Sequence, residues 1–310
     1  MNEILKFITE INHLMIMGGW WTMLGLFMWG ACVGSFFNVV IARWPLMEKR
    51  DNLESMKDYL EELEFAPHKE INETLEKNKK ISLSFPRSHC FSCKTNINWY
   101  DNIPLLSWLL LRGKCRACQV SFSSKYLLTE VATGFLFSLV WFLSKDLNSF
   151  AWLWIVFVAI GWILMLVDAK TMLIPDKGSY TLLWLGLGLA ALNIHPAHLS
   201  PQEAIYGALG GYVMMSLLGG IGWLIKRQQA LGYGDYKLMA AIGAWIGFKG
   251  AAFTLLASPI LGIIGWCFIY FNTKDKSNDQ PIPTPFGPAL VLTSWVYLYY
   301  GDKIIAMINS

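Results

Sequence analysis

Apolar stretches long enough to cross a bilayer recur along this chain of 310 residues, and they limit its fold more than any other feature. A spanning helix needs about 20 mostly apolar residues. Candidates fall at roughly 20–42, 127–144, 150–167, 179–194, 204–225, 238–250, 251–271 and 286–300. Composition agrees, with 55% hydrophobic and 15% charged residues, against roughly 25% charged in soluble domains. The expected class is an all-α polytopic membrane protein with about eight transmembrane helices. The stretch 238–250 is short and glycine-rich, so it and 251–271 could form one broken helix. The first apolar stretch has no basic segment and small-residue cleavage site around it, and reads as a retained span. A net charge of only +3 offers no footing for a nucleic-acid partner.

Basic residues set the expected orientation. With eight spans, the connections 43–126, 168–178, 226–237 and 272–285 share one side. They carry 21 Lys and Arg, against 4 on the other side (Lys6, Lys145, Lys249 and Lys303). That side is therefore expected to be cytoplasmic, with both termini facing outward. Only 43–126 is long enough to fold outside the membrane. The expected division is 1–42 as N-terminal region and first span, 43–126 as a cytoplasmic domain, and 127–310 as the remaining membrane domain. Within the loop, "EKRDNLESMKDYLEELE" places Leu53, Met56, Leu60 and Leu63 at helical spacing among mixed charges, and reads as a solvated amphipathic helix. The segment 272–285 is polar and proline-rich and reads as a loop.

Six cysteines occur. Cys32 and Cys267 stand alone in apolar runs and are expected to be buried packing residues. The others form two C-x-x-C pairs, Cys90 with Cys93 and Cys115 with Cys118. That spacing is a tetrahedral zinc signature, each pair presenting two thiolates from one tight turn. Four sulfurs close the coordination sphere and leave no position for a substrate, so the implied role is structural. A small cytoplasmic zinc-binding module between the first and second spans would draw much of its stability from the metal. The alternative is two disulfides or four free thiols, and the expected reducing compartment argues against disulfides.

Carboxylates are sparse in the membrane half, and ionisable groups beside spans are functional candidates. Asp168 ends the third span, Asp235 precedes the sixth, and Asp176 follows Pro175 before the fourth. The charge-derived topology puts Asp168 and Asp235 on one side at one depth. Two carboxylates brought close do not both ionise readily, so one keeps its proton while the other acts as base. Such a pair can activate water against a peptide carbonyl. Gly232 and Gly234 beside Asp235 let backbone or substrate approach closely. The competing reading is that Asp235 N-caps the sixth helix, with Asp168 and Asp176 ordinary interfacial residues and Asp176 itself an N-cap. Pattern alone does not choose between them.

Taken in order, these motifs resemble those of the bacterial type IV prepilin peptidases, the leader peptidase/N-methyltransferases of the G-x-G-D class of aspartic membrane proteases. "GSFFNVVIARWP" (34–45) is similar to the family's first-span signature, and 86–119 to its zinc-binding motif. "DAKTMLIPD" (168–176) and "GYGDYKLMAAIGAW" (232–245) resemble its two catalytic motifs, and "PTPFGPAL" (283–290) its last-span signature. The resemblance implies Asp168 and Asp235 as the catalytic pair. It implies prepilin or pseudopilin substrates, cut on the cytoplasmic face after a glycine. It also implies methylation of the new N-terminal amine by S-adenosylmethionine, with no residues that can be named for that cofactor. Leu127 stands where the family commonly has proline, and Lys170 where an acidic residue is frequent.

Two rivals come from other classes. One is a transporter using Asp168 and Asp235 as a proton or cation site, which would need acids near mid-bilayer. The other is a non-catalytic, zinc-stabilised factor for pilus or secretion assembly.

Overall fold

The structure is a computed structural model that describes residues 19–63, 69–77, 80–144, 151–227, 231–272 and 284–309. The segment before residue 19, with Lys6, and most of the loop expected at 272–285 lie outside the described residues, as does Lys145. Helices dominate: α1 (Trp20–Glu62), α2 (Lys69–Lys77), α3 (Leu106–Leu111), α4 (Lys125–Leu143), α5 (Ala151–Thr171), α6 (Asp176–Ala191), α7 (Pro201–Lys226), α8 (Tyr233–Asn272) and α9 (Gly287–Asn309). No strand forms among the described residues, and pairing is limited to two isolated bridges, His89 with Asn96 and Lys114 with Ser121.

The all-α architecture is as expected, but the span count differs. Five described helices are long and apolar enough to cross a membrane: Trp20–Glu62, Lys125–Leu143, Trp152–Thr171, Pro201–Ile225 and Tyr233–Phe271. The stretches 238–250 and 251–271 belong to one helical run, broken where Gly247 turns to φ 70°. The fourth candidate becomes α6, with 16 residues. The first candidate also runs on, since α1 continues through Pro45 for 43 residues and carries the charged segment with it. The amphipathic helix is thus an extension of a span. Leu53 and Leu60 are half-buried, while Met56 and Leu63 are exposed.

The chain divides into two compact units, one of Leu24–Ser138 and the other chiefly of Leu139–Ser310. In the first, α1 and α4 meet through glycine. A Cβ at Gly30 would lie 2.8 Å from the Gly134 Cα, so only a missing side chain allows this approach. Trp29 on α1 and Phe137 on α4 seal the contact edge-to-face at 5.2 Å. Arg43 ties the start of the zinc-type module to α1, donating to the carbonyls of Ser82 (2.8 Å), Leu83 (3.1 Å) and Pro86 (2.6 Å). Arg50 pairs with Glu54 at 2.8 Å and donates to the Leu75 carbonyl of α2 at 3.2 Å. Cys32 is exposed, against expectation. An apolar run in a membrane helix can face lipid as readily as protein, so hydropathy could not assign its side.

The second unit is built around Trp245 of α8, which is fully buried. Its indole N–H donates to the Leu182 carbonyl of α6 at 2.8 Å. The ring meets Phe157 at 5.2 Å and Trp154 at 6.1 Å, both on α5. Helices α7 and α8 approach even more closely, since a Cβ on either Gly207 or Gly243 would collide with the other's carbonyl oxygen. Helix α7 begins with a capping box, in which the Ser200 hydroxyl and the Glu203 carboxylate satisfy each other's backbone amides. Glu203 is therefore a capping residue. The outward faces stay apolar: Leu209, Leu217, Ile221 and Leu224 of α7 are exposed. A surface so apolar suits a lipid bilayer rather than water.

Candidate active site

Asp168 lies in the last turn of α5. Met172, at φ 57°, ends that helix, its N–H bonded to the Asp168 carbonyl at 2.8 Å. The Thr171 hydroxyl donates to the Val167 carbonyl at 2.9 Å, and residues 172–175 then turn into α6. The Asp168 side chain is 4% exposed. One carboxylate oxygen, Oδ2, accepts the main-chain N–H of Gly287 at 2.9 Å. Gly287 is the first residue of α9, where amides have no partner inside the helix and the helix dipole favours negative charge. A helix start thus supplies what a buried carboxylate needs.

Asp235 is 9% exposed and sits in the first turn of α8. Its Oδ2 accepts the Gly232 N–H at 3.2 Å, while its own N–H donates to the Gly232 carbonyl at 3.1 Å. The side chain therefore reaches back from the third helical position to the residue before the helix, and Asp235 is not the N-cap itself. The two carboxylates are held by segments that meet around one residue. Ile174 of the α5–α6 turn joins their surroundings. A Cβ at Gly234 would lie 3.0 Å from Ile174 Cβ, and one at Gly287 would lie 3.2 Å from Ile174 Cδ1. Both glycines let the α8 and α9 starts close over this isoleucine.

Asp176 has another task than the one expected. Pro175 is the N-cap of α6, and Asp176, one residue inside, makes an ion pair of 2.6 Å with Lys237 of α8. Lys237 also sits over the Tyr180 ring, 5.5 Å from its centroid. The pair fastens α6 to α8, with Lys237 two residues beyond Asp235 and Asp176 eight beyond Asp168. Sequence reasoning missed it because the partners are 61 residues apart. It also missed Gly287, although a Phe-Gly-Pro at a helix start was available as a signal.

The four cysteines converge in the other unit. Their sulfurs all lie within 4.8 Å of one another. Cys90 and Cys118 are 3.7 Å apart, and Cys93 and Cys115 are 4.0 Å apart. Four thiolates at about 2.3 Å around a tetrahedral zinc would stand roughly 3.8 Å apart, so this donor set fits the ion and no disulfide is formed. The two turns have the same construction. Cys90 N–H bonds Thr95 O (2.9 Å) and Lys94 N–H bonds Cys90 O (3.0 Å); Cys115 N–H bonds Val120 O (2.9 Å) and Gln119 N–H bonds Cys115 O (3.0 Å). Lys94 and Gln119 both take φ near 57° to close them. Hydrogen bonds from Thr95, its hydroxyl first and its backbone second, pull the Cys93 thiol down to about 6, toward the thiolate a metal requires. The ring of His89 engages the Arg87 carbonyl at 3.1 Å, consistent with a neighbour rather than a fifth ligand.

The fold and these two constellations define a class: an all-helical membrane protein with two buried, helix-anchored aspartates and a four-cysteine centre fit for zinc. Residues 155–267 match the type IV leader peptidase family, and residues 28–144 match the bacterial peptidase A24 N-terminal domain. The chain is 36% identical over 281 residues to a prepilin leader peptidase/N-methyltransferase of Stutzerimonas stutzeri, covering 89% of this chain and 90% of the relative. It is 35% identical to the protein of that name from Aeromonas hydrophila, covering 90% and 91%. It is 32% identical to that from Neisseria gonorrhoeae, with the same coverage of 90% and 91%. No solved structure matches. The chain belongs to the type IV leader peptidase family.

Proposed function

We propose that this protein removes the leader of type IV prepilins or pseudopilins by peptide hydrolysis and then methylates the new N-terminal amine. The observation that carries the first step is the pair of buried carboxylates, Asp168 and Asp235, each held by a single main-chain N–H, with Gly287, which holds Asp168, and Gly234, beside Asp235, both packed against Ile174. The ionised member takes a proton from water as the water oxygen attacks the scissile carbonyl carbon. The protonated member gives its proton to the carbonyl oxygen. Collapse of the adduct breaks the C–N bond, and the leaving nitrogen receives the proton held by the base. Backbone N–H bonds to one oxygen of each carboxylate leave the other oxygen for this work.

The second step rests on the relatives, which are N-methyltransferases as well as leader peptidases. S-adenosylmethionine would supply a methyl group on a cationic sulfur; the new N–C bond would form as the C–S bond breaks, leaving a neutral thioether and releasing one proton from the amine. The zinc-type module would take part only by its fold. Cys90, Cys93, Cys115 and Cys118 would hold the ion, which cross-links two turns and leaves no open ligand position. Charge distribution supports a multi-pass protein of the bacterial inner membrane, with residues 43–126 and the aspartates at the cytoplasmic side, and the family match over residues 155–267 supports residues 127–310 as the peptidase domain.

The test is incubation of the purified protein in detergent with a prepilin, read by mass spectrometry. Cleavage should vanish in Asp168→Asn and in Asp235→Asn, and full cleavage by either variant refutes the pair. The methyl group should appear on the new N-terminus only when S-adenosylmethionine is added.

A further inference from the structure

The chemistry assigned to Asp168 and Asp235 needs the end of α5 and the start of α8 to keep a fixed placement. One contact between these segments is apolar, Ile174 of the α5–α6 turn against Gly234. Apolar contact has no direction, so it tolerates sliding. The other is the Asp176–Lys237 ion pair of 2.6 Å, a charge-assisted hydrogen bond with a fixed geometry. Each partner belongs to a stiff piece that carries one aspartate. On the α5 side, residues 168–179 are bonded among themselves. The Met172 N–H bonds the Asp168 carbonyl at 2.8 Å, the Leu173 N–H donates to the Thr171 hydroxyl at 3.3 Å, and the Gly178 and Ser179 N–H groups share the Pro175 carbonyl at 3.1 Å. The start of α6 is seated on the turn of α5 that precedes Asp168, since a Cβ at Gly178 would lie 2.5 Å from Leu164 Cδ2. On the other side, Lys237 shares the first turns of α8 with Asp235, and the adjoining Leu238 and Met239 are buried. Lys237 reaches α6 at two successive turns, at Asp176 and over the Tyr180 ring.

Stability is a poor reason for such a pair. The Asp176 side chain is 55% exposed and that of Lys237 26%, and pairs of this kind contribute little to folding. Placement is a better reason, because a displacement of about 1 Å between reacting groups can lower a rate by about 100-fold. Resting on the aspartate-pair reading above, we propose that Asp176 and Lys237 form a positioning clamp for leader cleavage. The pair sets α6 against α8 and so sets Asp235 against Asp168. Neither residue is catalytic; both act through the segments that carry the acids. Without the pair, the Ile174 contact remains, so the two segments loosen rather than separate.

The experiment measures steady-state cleavage of a prepilin peptide by the full-length protein in detergent. It compares Asp176→Ala, Lys237→Met and the double variant, with Asp168→Asn and Asp235→Asn in the same series. Each single clamp variant should lower kcat by roughly 10-fold, part of the loss expected for a full 1 Å displacement, while KM and melting temperature stay close to wild type. The double variant should lose no more than either single one, because all three remove the same contact. With both charges gone, its pH profile of kcat should keep the wild-type limbs. A wild-type kcat in either single variant, a loss confined to KM, a double variant slowed by the product of the two single losses, or a displaced pH limb overturns the clamp. Asp176→Ala carries the test should Lys237→Met fail to fold, since the side chain it removes is exposed and alanine suits a helix start. Inactive Asp168→Asn and Asp235→Asn beside fully active clamp variants overturn the clamp alone. Full cleavage by either asparagine variant overturns the aspartate pair and the clamp with it.

Discussion

Gly287→Ala tests the proposed chemistry at a residue that has no chemistry of its own. Its φ is not in the left-handed region, so alanine meets no backbone strain there. At the first position of α9 alanine should otherwise be harmless. The new Cβ, however, would stand 2.6 Å from Asp168 Oδ2 and 3.2 Å from its Cγ. Ordinary contact begins near 3.4 Å, so the carboxylate must retreat by about 0.8 Å or lose its bond to the Gly287 N–H. Misplacing a reacting group by about 1 Å can lower a rate by about 100-fold, which is about 2.7 kcal/mol of barrier. We therefore expect kcat for leader cleavage to fall between about 10-fold and 100-fold, with KM changed little, since the substrate's binding surface is untouched. Gly188→Ala is the control: a Cβ there meets nothing within 4 Å, and its rate should equal the wild type's. The assay is steady-state cleavage of a prepilin peptide in detergent by both variants, normalised to folded protein. A wild-type rate for Gly287→Ala would refute the idea that the α9 start positions Asp168 for catalysis.

Other outcomes follow from the same geometry. Cys93→Ser, or removal of metal by a chelator, should lower the melting temperature of the 80–124 module and release one zinc per chain, measured by calorimetry and metal analysis. The Arg116 guanidinium holds the Asp101 carboxyl below its usual range. A lowered folded-state value means this contribution is complete above the ordinary carboxylate pKa of about 3.9 and is lost as pH falls through the folded value. Asp101→Asn should therefore remove an acid-side slope in stability and leave neutral-pH slopes alone, as read by thermal melts across pH. Lys237→Met should change stability by no more than about 1 kcal/mol, because its pair with Asp176 is partly exposed. Gly207→Leu should sharply lower the yield of folded protein, since α7 and α8 have no room for the side chain; a normal yield would contradict the packing.

Much of this protein can be read along its length. Apolar runs mark helices because a helix satisfies its own backbone groups within one segment. Paired cysteines mark a metal centre because each C-x-x-C is a turn with two ligands. Asp168 and Asp235 stand out because carboxylates are rare at such depths. These signals are local, and the chain carries them whatever its final packing. The misreadings have a different source. Cys32 was assigned to the interior because apolarity in lipid does not distinguish inside from outside. The charge change near residue 43 marks the end of the apolar span but not of the helix, whose backbone pattern continues to Glu62.

What lay beyond the sequence are contacts between distant segments. The Gly287 amide meets Asp168 across 119 residues, and Lys237 meets Asp176 across 61. A cavity beside Glu130 exists only where α1, α4 and the module fold together. Local residue pattern is enough to specify helices suited to a membrane, a four-cysteine centre fit for zinc and two acids beside helix ends. Tertiary structure alone decided which amide holds each acid and which charges pair, because those depend on distances that no spacing along the chain encodes.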